Sequence, residues 1–320
     1  MTISGRLVLI ATHHKTGTVW MRQLFQSIAR RLECPFLRLG DDEMVDTDEL
    51  RARSPLAILF QDHSRFAANM RLQPDDRGWH LLRDPRDVLI SGANYHGWSD
   101  EPWLHQAREN LGGRTYQEAL RSLPFADAVR FEMDRSTGQA VRDMLSFDLR
   151  DGCFRDVAYE TLLADVVGEV AGPLLGELGF AGDALSGALA VYREQHPRGA
   201  RQEQPALRAH VQNLDRAQWC YMFDASLLAC FERNFPNATL ELGYPPSDPG
   251  LLIDDLPRRE AYLARFLANR GETAAALARL DAALRRHEKS PLLLAARELI
   301  TRDKAGSCTS SGRPEARAGR

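Results

Sequence analysis

The sequence predicts a three-layer α/β/α fold, with a central, mostly parallel sheet between helical layers and a helical extension at the C-terminus. Three observations predict it. Residues 7–11 (LVLIA), 56–60 (LAILF) and 79–82 (WHLL) are short, mainly apolar runs, as expected of strands buried on both faces of a parallel sheet. The first and third runs lead directly into segments of helical spacing, the alternation that builds α/β folds. Polar residues stand immediately after each run, on the carboxyl edge of the sheet, where open α/β folds place ligands.

The first strand–loop–helix unit spans residues 7–25. After LVLIA the chain turns basic at His13, His14 and Lys15, continues through Thr16, Gly17 and Thr18, and then repeats apolar residues at Trp20, Met21, Leu24, Phe25 and Ile28. A helix beginning there aims unsatisfied backbone N–H groups and the positive end of its dipole at the loop, a geometry that binds phosphate or sulfate. An ordinary βα turn with a solvated Lys15 fits the residues equally well. The nucleotide loop GxxxxGK[ST] is absent, because Lys15 precedes Gly17 and no first glycine lies upstream, which disfavours an ATP or GTP site.

Further along, residues 38–53 are acidic and read as a surface loop or the start of a short helix. The second strand ends in Gln61, Asp62, His63 and Ser64. The third ends at Arg83, and Asp84 with Pro85 marks a helix N-terminus running to about Tyr95. Ser91 falls two turns along that helix. Residues 98–150 are helical with interruptions and suit an acceptor pocket, a lid or plain core. Residues 153–159 form a fourth strand candidate, followed by helical segments with a break expected at Pro173.

The stretch GYPPSDPG, residues 243–250, is the strongest breaker, so the expected domains are an α/β domain over 1–249, a helical extension over 250–305 and a disordered tail over 306–320. Within the extension, Gly271, Ala276, Ala283 and Leu284 stand at spacings like those of a tetratricopeptide repeat. A partner-binding or self-associating repeat and a helical hairpin packed on the first domain both account for it.

Composition sets the outer bounds. With 320 residues, 44% hydrophobic and 27% charged, the chain can bury a large core. A formal net charge of -3 speaks against nucleic acid as the partner. No apolar run approaches the ~20 residues of a membrane span, and residues 1–6 do not begin a signal peptide, so a cytoplasmic location is expected. The five cysteines are scattered, with no CxxC pair, which predicts free thiols and no metal site.

Taken together, the loops resemble those of sulfotransferases that use 3′-phosphoadenosine 5′-phosphosulfate (PAPS), over about residues 5–245. The family's KxGTxW loop is matched by Lys15, Gly17, Thr18 and Trp20, and its RxPxDxxxS motif by Arg83, Pro85, Asp87 and Ser91. By this resemblance Lys15 holds the oxygens around the scissile bond, while Thr16, Gly17 and Thr18 contact the 5′-phosphate. Trp20 packs on adenine, Arg83 and Ser91 bind the 3′-phosphate, and Tyr159, of the pair Tyr159–Glu160, lies near adenine. Arg198 and Gly199, in the basic stretch HPRGARQ, match a loop that closes over the 3′-phosphate. His63 takes the place of the family's catalytic histidine, with His13, His14 and Asp62 as competitors.

Three positions depart from the family pattern: His14 replaces a proline, Val19 a hydroxyl residue within the binding loop, and Gln61 a lysine. The implied activity is metal-independent, in-line transfer of a sulfuryl group from PAPS to an acceptor hydroxyl, or secondarily an amine, with release of 3′-phosphoadenosine 5′-phosphate (PAP). The implied acceptor is a small molecule, glycan or peptide. The alternatives are a catalytically degenerate nucleotide-binding scaffold working through its C-terminal helices, and a P-loop-like kinase.

Overall fold

The structure, a computed structural model, describes residues 5–149, 152–200 and 214–310. The chain divides into two compact units, one made of residues 1–92, 132–217 and 232–246, the other of 93–131, 218–231 and 247–320.

The first unit is built on a five-stranded sheet comprising β1 (Arg6–Ala11), β2 (Phe36–Leu39), β3 (Leu56–Gln61), β4 (Arg77–Leu82) and β5 (Phe154–Ala158). Every pairing is parallel and the order is β2-β3-β1-β4-β5. β2 has no counterpart in the sequence reading, and its last two residues overlap the stretch 38–53 read as a surface loop or the start of a short helix. Of its four residues FLRL at the sheet edge, Leu39 alone is buried, so the strand is too short and wet to show the apolar signature of the inner strands.

Each face of the sheet is covered. Val8, Ile10, Ile58, Phe60, Trp79 and Leu81 pack against α1 (Thr18–Arg31), α7 (Tyr159–Ala164), α8 (Ala171–Glu177) and α9 (Gly182–Glu194). The alternate residues Leu7, Leu9, Ala11, Ala57 and Leu59 form a second core with Phe66, Met70 and Phe154. This use of both faces explains why the inner strands read as continuous apolar runs. Beneath the start of β1, Asp76 accepts the Leu7 N–H and pairs with the buried Arg51 of α2 (Thr47–Arg53).

α3 (Pro85–Tyr95) starts where Asp84 and Pro85 place it, and the Asp84 carboxylate accepts the Arg86 N–H at 3.0 Å. The break expected at Pro173 lies earlier. α7 ends at Ala164, and the Asp165 carboxylate accepts the N–H groups of Gly168, Glu169, Val170 and Ala171, which starts α8 at Ala171. Pro173 is the third residue of α8, within the first turn, where its missing N–H costs no helical bond.

In the second unit, three helices at Leu256–Asn269, Thr273–Leu284 and Pro291–Ser310 share a core of Ala264, Ala276, Leu280, Ala283, Leu293 and Ile300. Phe125 packs edge-on against Tyr262 and Phe266, and Arg270 donates to the Leu120 and Leu123 carbonyls. The chain passes from the first unit to the second after Gly92, after Ala217 and after Pro246, and the last of these crossings lies inside the GYPPSDPG breaker. The last helix takes in residues 306–310 of the expected tail, and 311–320 lie outside the described residues. No helix among the described residues is long and apolar enough to cross a membrane.

Candidate functional site

Strand order brings the sequence motifs together. β1 lies between β3 and β4, with Ala11 paired to Gln61 on one side and to His80 on the other. The chain leaves β1 for β2 on one side and later crosses from β3 to β4 on the other, so the crevice at the carboxyl end of β1 is the topological switch point. The loops that follow β1, β3 and β4 carry Lys15, His63 and Arg83, and all three open at this crevice.

The loop after β1 is built on one carbonyl. The His13 C=O accepts from the Thr16 N–H (3.1 Å), the Thr16 hydroxyl (2.9 Å) and the Thr18 hydroxyl (2.8 Å), while the His13 N–H donates to Thr16 Oγ1 at 2.9 Å. Both threonine hydroxyls therefore shape the loop from within, and Thr16 is fully buried. Lys15 (φ 68°) and Gly17 (φ 105°) make the reverse bend. Gly17 is required twice over, since a Cβ there would lie 2.7 Å from Tyr159 Cδ2. The first intrahelical bond of α1 runs from the Met21 N–H to the Gly17 carbonyl, so the N–H groups of Thr18, Val19 and Trp20 lie ahead of it. They and the dipole of a 14-residue helix face the loop.

Arg83, just beyond β4, donates to the Lys15 carbonyl at 2.9 Å, and its guanidinium lies 5.0 Å from the centre of the Tyr159 ring. The two motifs are thus in direct contact. Glu160, at the start of α7, accepts the Asp84 N–H (3.0 Å) and the Tyr244 hydroxyl (2.9 Å); burial raises its pKa above the ordinary carboxylate range. Burial likewise raises the Tyr159 hydroxyl. Trp20 is only 2% exposed, enclosed by Tyr159, Tyr192 and His196, so it backs Tyr159 from the core and offers no open face. Ser91 is half-buried on α3. Arg198 and Gly199 lie in the short helix Pro197–Ala200, where the Arg198 guanidinium donates to the Leu163 carbonyl at 3.2 Å. Residues 201–208 of that basic stretch lie outside the described residues.

His63 follows β3 with its side chain 54% exposed. Its Nδ1 lies 3.0 Å from Asp41 Oδ1, and Gln61 ties the pair together by donating to Asp41 and accepting the His63 N–H. Partial burial works against ionisation of Asp41, but hydrogen bonds from Gln61 and His63 and the nearby Arg65 outweigh it and lower its pKa. Asp62, a competitor for the catalytic role, is occupied by Arg22 and Arg38. His13, the other competitor beside His14, is 1% exposed, and its Nε2 lies 2.7 Å from His80 Nε2. Sequence reasoning missed Asp41, which is hidden in an acidic stretch, and His80, whose position inside an apolar strand was the available signal.

No protein-family model and no curated protein sequence matches this chain. Among solved structures, it is similar to the mouse sulfotransferase SULT7A1 complexed with PAP, with a TM-score of 0.48 and 16% identity, covering 74% of this chain and 84% of that one.

Proposed function

We propose that the chain is a PAPS-dependent sulfotransferase acting on a hydroxyl, or secondarily an amine, of a small-molecule, glycan or peptide acceptor. The observation that carries this reading is the contact between the two anion motifs: the Arg83 guanidinium donates to the Lys15 carbonyl at the switch point. A donor with phosphate groups at both ends needs two such positive sites side by side, and a triphosphate loop needs only one. The donor supplies the activated sulfuryl group.

In this reading Lys15 neutralises charge on the oxygens around the scissile bond, and Thr16, Gly17, Thr18 and Val19 line the 5′-phosphate through the loop and the α1 N-terminus. Arg83 and Ser91 take the 3′-phosphate, where a planar guanidinium fork suits phosphate oxygens. Tyr159, propped by Trp20, borders the adenine, with Arg198 and Gly199 beyond. His63, its Nδ1 held by Asp41, takes the acceptor proton on Nε2, as a histidine held by a carboxylate does in other transfer enzymes. The C-terminal helices, tetratricopeptide-like in their spacing, serve a partner or self-association.

Two experiments test the proposal. PAP, ATP and GTP are compared in thermal shift, and preferential stabilisation by ATP would sink it. His63→Ala is expected to abolish turnover of labelled PAPS while keeping PAP binding; retained turnover removes His63 from the mechanism. PAP binding by the wild type without turnover on any acceptor points to the degenerate scaffold, whose motivation is Gln61 standing where a lysine is usual.

A further inference from the structure

One residue of the site departs from the family pattern at a point where the structure gives it partners. Gln61 closes β3, where it pairs with Ala11 of β1 and Leu39 of β2, and its carbonyl accepts the Thr12 N–H at 3.1 Å and the Thr12 hydroxyl at 3.3 Å. The residue is 1% exposed. Asp41 stands two residues beyond Leu39 and His63 two residues beyond Gln61, so the parallel register brings the two loops out side by side, and His63 Nδ1 meets Asp41 Oδ1 at 3.0 Å.

Donor and acceptor roles fix how the Gln61 amide lies. The His63 N–H can only donate, so Oε1 faces it, which leaves the Nε2 amino group for Asp41 Oδ1, 3.0 Å away. Asp41 Oδ1 thus meets both the Gln61 amide and the His63 ring, while Oδ2 receives the Arg65 guanidinium at 3.0 Å. The members differ in how firmly they are held. The side chains of His63, Asp41 and Arg65 are 54%, 39% and 46% exposed, and Arg65 is shared with Asp143 at 3.1 Å. Exposed pairs hold their geometry weakly, so Arg65 competes with His63 for the Asp41 carboxylate. Gln61 alone of the four is buried, on a backbone pinned from both sides. A lysine could not take this part: with donors and no acceptor it leaves the His63 N–H unmatched, and it sets a cation against the Asp41 carboxylate.

We propose that Gln61 is the positioning residue of the acceptor-activating pair: its amide holds Asp41 on His63 Nδ1, so the glutamine replaces the lysine as part of a differently built base. The inference rests on the reading of His63 as the base of sulfuryl transfer. Within it His63 is the catalytic residue, and Gln61 acts through Asp41. The charge on Asp41 agrees: partial burial works against its ionisation, and the Gln61 hydrogen bond is the largest of the contributions that override this and lower its pKa.

The test reads the His63 imidazole by nitrogen NMR at about pH 8, above the ordinary histidine range, with His63→Ala to assign the signal. In the wild type the ring proton is expected on Nδ1, against Asp41. In Gln61→Met, close in size and unable to donate, the ratio of Nδ1–H to Nε2–H tautomer is expected to fall by about two- to tenfold, the span covered by the net worth of one hydrogen bond. Gln61→Glu keeps an acceptor for the His63 N–H but loses the donor to Asp41, and serves if Gln61→Met fails to fold. Gln61→Lys is expected to lower the same ratio, and to lower kcat for labelled PAPS with para-nitrophenol as acceptor while KM for PAPS stays unchanged. A wild-type ring without the Nδ1 proton, an unchanged ratio in the variants, or turnover raised by Gln61→Lys overturns the inference. The ratio is read on the protein alone, so it decides the matter whether or not para-nitrophenol is accepted, whereas no PAP binding by the wild type refutes the site reading itself.

Discussion

Gly17→Ala tests the anion loop at the point where backbone and packing demands coincide. At φ 105° an alanine lies beyond the left-handed region that L-residues tolerate, a strain of about 1–3 kcal/mol. The added Cβ would meet Tyr159 at 2.7 and 3.0 Å, and that ring, 6% exposed and bounded by Trp20 and Arg83, has little room to yield. Overpacking of this kind costs about 1–3 kcal/mol more. The expected total is about 2–6 kcal/mol of stability, read from urea midpoints at constant slope, together with weakened PAP binding. A double-mutant cycle with Tyr159→Ala separates the parts: without the ring, the cost of Gly17→Ala should drop to the backbone strain alone. An equal cost in both backgrounds, or no cost in either, would refute the account of the loop.

Three other perturbations address neighbouring claims. Arg83→Met removes the guanidinium that the proposed function sets at the 3′-phosphate and should weaken PAP by about 10- to 100-fold while leaving adenosine 5′-phosphate, which lacks the 3′-phosphate, little affected; equal losses for both ligands would reassign Arg83. Asp165→Ala strips four N–H groups of their acceptor at the start of α8 and should cost about 2–4 kcal/mol in thermal or urea unfolding, without changing PAP binding at the native state. Asp41 has a folded pKa below its unfolded one, so its contribution to stability is present above about pH 4 and is lost as pH falls through the folded value. Asp41→Asn should therefore flatten the acid limb of stability against pH. Because Asp41 is substantially exposed, the effect should be small and reduced by salt.

What could be read from the chain followed from how much signal each element carries in its own residues. β1, β3 and β4 are buried on both faces, so their apolar runs stood out, and Asp84–Pro85 marked α3 locally. β2 was missed because FLRL is a half-wet edge strand supported by pairing with β3. The α7–α8 break was assigned to Pro173, although Asp165 makes it through four main-chain bonds that no spacing rule encodes. The positions of Lys15, His63 and Arg83 at strand ends were legible; their convergence depends on strand order, which places β1 between β3 and β4. Asp41 and Asp156 were illegible for the same reason, and His80 was marked only by its place inside an apolar strand, since each has a partner on another strand or loop.

The clasp at the start of α3 also bears on when the first unit can form during synthesis. The buried Arg86 guanidinium is held by both Asp84 oxygens and by the Pro245 and Pro246 carbonyls, 160 residues further along. Glu160, on the other side of Asp84, waits for the Tyr244 hydroxyl. At 5–20 residues per second, a ribosome needs roughly 10–30 s to get from one side of this clasp to the other. In that interval Arg86 has its carboxylate but lacks the two carbonyls, so the junction carrying Arg83 is completed only after most of the chain has been made. A nascent chain halted before Tyr244 would carry all five strands but leave the contacts of Arg86 and Glu160 at the start of α3 incomplete.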